Sequence, residues 1–69
     1  MNAPVNTPEQ EIAISQQDVN EANVRLNNFL NYYWLWHETT PEQIAAYNAV
    51  TLAIDEVVAK MEILKEALK

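Results

Sequence analysis

Apolar residues recur along two stretches of the chain at alternating intervals of three and four. In the first stretch they are Ile12, Ser15, Val19, Ala22, Leu26, Phe29, Tyr33 and Trp36, with Leu30 widening the row. In the second they are Tyr47, Val50, Ile54, Val57, Met61, Leu64 and Leu68. This is the heptad rhythm of left-handed helix packing. It predicts two helices, over about residues 8–37 and 41–68. Ser15 and Ala22 are small, so a neighbouring helix can approach closely there. The second stretch carries more apolar residues than one row: Ile44, Thr51 and Val58 run beside it, and Ala45, Ala49, Leu52, Ala59 and Ile63 form a further stripe interrupted by Glu56. A helix in an isolated hairpin needs only one apolar face.

Both helix starts are marked by the same four letters, Thr7-Pro8-Glu9-Gln10 and Thr40-Pro41-Glu42-Gln43. The threonine hydroxyl caps a free backbone N–H, and proline in the first turn has no N–H to leave unpaired. The glutamate sits at the positive end of the helix dipole, and glutamine three residues after the threonine closes a capping box. The residues that follow the two starts do not match, so this is no internal duplication. Residues 1–6 read as a flexible tail. A connection of about residues 38–40 is short enough to make the helices antiparallel neighbours, each ~42–45 Å long at ~1.5 Å per residue. The predicted fold is all-α, an antiparallel two-helix hairpin. The extra stripes of the second helix point to two hairpins dimerising into a four-helix bundle. A larger bundle, or a hairpin completed by a different protein, is the alternative.

Composition strengthens the case for a partner. The chain has 69 residues, no cysteine and no glycine. Below ~70–80 residues a single core rarely supplies more than ~3–5 kcal/mol, so small folds rely on staples or association. Without cysteine there is no disulfide or thiolate metal site, and one histidine, His37, cannot build a histidine cluster. The missing glycine argues against tight β-turns. Ten acidic and four basic residues give a net charge of −6, which speaks against binding to phosphate backbones and keeps the chain dissolved. Lys60, Lys65 and Lys69 fall late in the second helix, where they complement its dipole. There is no stretch of 18 apolar residues to span a membrane, no basic polar face for a membrane surface, and no secretory signal at the start. A cytoplasmic protein is expected.

No constellation supports catalysis. His37 beside Glu38 has no serine or cysteine nucleophile at a matching position, and Ser15 lies about 33 Å away along the helix. A histidine at a helix C-terminus is ordinarily a dipole-compensating residue. The carboxylate pairs Glu9/Glu11, Asp55/Glu56 and Glu62/Glu66 lack the Glu-x-x-His spacing of di-iron bundles. The chain is therefore expected to be no enzyme and to hold no cofactor or metal.

What remains is protein binding. Asn31 to His37 holds four of the six aromatics. Tyr33 and Trp36 lie on the seam, whereas Trp34 and Leu35 are expected on the opposite side. Exposed apolar pairs tend to mark interaction sites, and tryptophan is enriched in hot spots. Val24, Asn27, Asn28 and Asn31 surround the pair, with Asn20 and Asn23 further along. The expected partner-binding patch is thus Trp34, Leu35, Val24, Asn27, Asn28 and Asn31. The competing reading is that Trp34 and Leu35 pack within the dimer, or that Val5 folds back over Trp34. The expected dimer and core residues are Ile12, Val19, Leu26, Phe29, Tyr33, Trp36, Tyr47, Val50, Ile54, Val57, Met61 and Leu64.

In size and layout the hairpin resembles the Rop-type plasmid proteins, which dimerise into four-helix bundles. The basic surface that their RNA binding requires is absent here. The start Pro41-Glu42-Gln43 followed by Tyr47 and the Ile54 seam is similar to the hairpin chaperones of type III secretion, which shield a partner helix. Small acidic helical dimers are also common among phage-encoded inhibitors of host proteins. No family is assigned on these likenesses. The expected function is a small acidic homodimeric module that docks on a larger protein and inhibits or redirects it. The second reading is a hairpin chaperone sheltering an apolar helix of a secretion or assembly partner.

Overall fold

Each Thr-Pro-Glu-Gln start opens a helix. In a computed structural model, which describes residues 6–69, α1 spans Pro8–Trp36 and α2 spans Pro41–Ala67, with 29 and 27 residues. Both capping boxes are closed. The Thr7 hydroxyl accepts from the Gln10 N–H at 3.1 Å, and Gln10 Oε1 accepts from the Thr7 N–H at 2.8 Å. Thr40 and Gln43 form the same pair, both bonds at 3.2 Å. No described residue has a positive φ, so the connection from His37 to Thr40 turns the chain without glycine. His37 ends α1 in an extended conformation.

The helices lie side by side, and the molecule measures 55 × 26 × 9 Å. It is a plank one helix thick. Domains ordinarily bury their apolar faces between two packed layers, and here there is one. Among the described residues no side chain is fully buried.

The line where α1 meets α2 carries half-buried side chains. On α1 these are Ile12, Ser15, Gln16, Val19, Asn23, Leu26, Asn27, Leu30, Tyr33 and Trp34; on α2, Gln43, Tyr47, Thr51, Ile54, Val58, Met61 and Lys65. This line differs from the heptad rows read from the sequence. Ile12, Val19, Leu26, Tyr33, Tyr47, Ile54 and Met61 do lie on it. Ala22, Phe29 and Trp36 do not, and neither do Val50, Val57, Leu64 and Leu68; Phe29 is 58% and Trp36 72% exposed. Asn23, Leu30, Thr51 and Val58, which flank those rows, lie on the line instead. At ~100° per residue the heptad rows sit roughly 45–55° around each helix from the contact line. On both helices they lean toward the same broad face of the plank.

Candidate functional site

The turn end brings together most of the aromatic cluster. Trp34, expected on the outward side of α1, is half-buried there. Its indole Nε1–H donates to Gln43 Oε1 at 2.9 Å, and its ring meets Tyr47 edge-on with centroids 6.5 Å apart. The correction follows from the rotation just described: with the contact line shifted around α1, position 34 lies beside the line instead of opposite the seam. Asn27 is drawn in as well, its Oδ1 accepting from the Tyr47 hydroxyl at 3.1 Å. The remaining members of the expected partner patch, Val24, Asn28, Asn31 and Leu35, are exposed, Leu35 by 77%. That patch is therefore divided, with its tryptophan and Asn27 committed to the hairpin. A contact with Val5 lies outside the described residues. Tyr33 stacks on His37 at 4.2 Å and approaches Phe29 at 6.2 Å.

Polar clamps occupy the opposite end. The Gln16 amide donates to the Val58 carbonyl at 3.3 Å and to Glu62 Oε1 at 3.0 Å. The Gln16 amide, and after it the Lys65 ammonium, hold the Glu62 carboxyl below the ordinary glutamate value. Lys69 pairs with Glu66 at 2.9 Å and lies 3.9 Å from Glu9 across the helices. Its ammonium is held above the ordinary lysine value by the Glu66 hydrogen bond first and by nearby carboxylate charge after that. Sequence reading missed Gln16 and Gln43 as cross-helix clamps, because Gln16 sits one position off a heptad row and looks solvated, and Gln43 is already accounted for by the capping box.

At ~100° per residue the broad face takes Ala22, Phe29, Tyr33 and Trp36 from α1 and Ala46, Val50, Ala53, Val57, Leu64 and Leu68 from α2, with Glu11, Asp18 and Arg25 as its charged members. A groove of about 280 Å³ opens near the turn, lined by Leu26, Leu30, Gln43, Ala46, Tyr47 and Val50. No family model, curated protein or solved structure matches this chain. The surface itself therefore has to carry the reading. It offers little of what chemistry needs. The Ser15 hydroxyl is spent on the Glu11 carbonyl at 3.0 Å. Among the described residues no three His, Asp or Glu side chains come together, and no helix is long and apolar enough to cross a membrane.

Proposed function

We propose that this chain is a small acidic protein-binding module, not an enzyme, which pairs with a second copy through its broad apolar face into a four-helix bundle and docks as that dimer on a larger protein to block or redirect it. The observation that carries the reading is the common lean of the two heptad rows. In a four-helix bundle the core lies diagonally between a helix's two neighbours, about 45° from either one. The rows on α1 and α2 are displaced by about that angle and toward one face, as a second layer requires.

The area supports the same partner. A compact monomer of 7.9 kDa exposes about 4,400 Å², whereas this chain exposes 5573 Å². A compact dimer of twice the mass exposes about 7,300 Å², so pairing two such hairpins would bury about 3,800 Å². Obligate homodimers bury about 2,000–5,000 Å².

The openness of this face favours a second reading: a hairpin with no fully buried side chain could shelter an apolar helix of a client instead. Size exclusion with light scattering separates the two. Twice the chain mass and a cooperative melt support the dimer. A well-folded single chain at micromolar concentration overturns it, and a loosely folded single chain that orders on adding a client helix establishes the chaperone.

A further inference from the structure

One of the extra stripes of α2 that the sequence offered as a reason to dimerise stays in water when the dimer forms through the broad face. Ala45, Ala49, Leu52, Glu56, Ala59 and Ile63 follow one another at intervals of four and three along α2. At ~100° per residue they centre roughly 165° from the line facing α1 and about 150° from the row on the broad face. They are exposed, Leu52 and Ile63 by 69% each. Three alanines let another backbone come close, and Leu52 and Ile63 are spaced as knobs for it. The stripe runs over 19 residues, about 27 Å from first to last. That is the footprint of one helix of some five turns.

Charge selects the kind of helix. Glu56 stands at the middle of the stripe, in a position that a covering helix would bury. Its present partner is Lys60, one turn on at 3.0 Å, with both side chains largely in water. Asp55 and Glu66 border the stripe on one side, and Glu42 and Lys60 on the other. Centre and borders together hold four carboxylates and one ammonium, on a chain of net charge −6. A third copy of the chain would bring like charge to this surface. An acidic helix would add like charge to a surface that already holds four carboxylates against one ammonium, and a neutral one would bury the Glu56–Lys60 pair with nothing to offset the remaining carboxylates, which is unfavourable. A helix with lysine or arginine in the middle of its own apolar row answers Glu56, and basic borders answer the rest.

We infer that the outer face of α2, centred on Leu52, Glu56 and Ile63, is a docking site for a basic amphipathic helix of a partner protein. This names the chemistry of the partner in the proposed function and uses a surface separate from the dimer face.

The test uses the full chain and two synthetic helical peptides of roughly twenty residues. Both carry the same Leu/Ala row. One has lysine at the centre of the row and Lys/Arg borders, and the other has glutamate at all of those positions. Fluorescence anisotropy should show the basic peptide binding and the acidic one at least tenfold weaker, roughly the loss expected from removing charge complementarity. Glu56→Lys should weaken the basic peptide by roughly thirtyfold or more. Leu52→Ser should weaken it as well. Both variants should keep their helical signal and their mass by light scattering. The assignment is overturned if the basic peptide does not bind, if both peptides bind alike, or if charge reversal at Glu56 has no effect. It is also overturned if Glu56→Lys or Leu52→Ser changes the oligomeric mass, because the stripe would then be a subunit interface. A single-chain mass together with charge-selective peptide binding would refute the dimer alone and leave this site standing.

Discussion

Gln43 joins two elements through one oxygen, since its Oε1 accepts from the Thr40 N–H and from the Trp34 indole. The capping role is legible in four letters of sequence. The indole bond is not, because it depends on how far α1 is rotated about its own axis. Replacing Trp34 with phenylalanine keeps a ring beside Tyr47 but removes the indole donor and part of the ring's bulk, so it should cost at least about 1 kcal/mol in urea denaturation. Two side chains in the contact line have the opposite problem. Asn23 Oδ1 and Thr51 Oγ1 are cut off from solvent and accept or donate no hydrogen bond. Thr51→Val removes the orphaned hydroxyl while keeping the branched shape, and it should raise stability by up to ~1 kcal/mol. An unchanged or lower midpoint would show that Thr51 finds a partner. At the open end, Gln16→Ala removes the first cause of the lowered Glu62 pKa. An NMR titration of the carboxyl should then move back up toward the ordinary glutamate value. The sign for stability follows. A carboxyl lowered on folding favours the native state above its unfolded pKa, and that contribution is lost as pH falls through the folded one.

At the scale of the helices, the two starts, the antiparallel pairing and the heptad rows are readable in the sequence because each depends on neighbours within about seven residues. The faces are less readable. A heptad row marks the average direction to all of a helix's neighbours, whereas the α1–α2 contact satisfies one neighbour only. Phe29, Trp36, Val57 and Leu64, read from the sequence as dimer and core residues, stand on the open face of the single hairpin, and Trp34, read as outward, packs on Tyr47. The two caps differ in what hangs from them. Thr7→Ala loses a cap at the free end of α1 and should cost ~0.5–1 kcal/mol. Thr40→Ala loses the cap of α2 and also loosens the Gln43 side chain that holds Trp34. It should cost nearer ~1–2 kcal/mol, together with a change in tryptophan fluorescence that Thr7→Ala does not produce. Equal costs and unchanged fluorescence would mean that Gln43 keeps its place without the threonine.

For the whole molecule, the plank and the bundle make opposite forecasts for one residue. Phe29 is 58% exposed on the single hairpin. If the hairpin is the finished fold, Phe29→Asp is a surface change, and such changes are usually within about ±0.5 kcal/mol. It also shrinks an exposed apolar patch. If a second copy covers the broad face, the same aspartate is carried into a largely apolar interior twice per dimer. Burying an unpaired charge costs several kcal/mol, comparable to the few kcal/mol a chain of this size can hold. The variant should therefore lose its dimer mass and most of its helical signal together, since a one-layer hairpin buries too little to stand alone. Concentration provides an independent check. Folding coupled to association makes the melting temperature of the unaltered chain rise with protein concentration. Leu35→Ala is the matched control, an apolar side chain even more exposed on the hairpin but on the side away from the broad face, and it should leave mass and melting temperature unchanged. If Phe29→Asp behaves like Leu35→Ala, the broad face stays in water and the four-helix bundle is wrong.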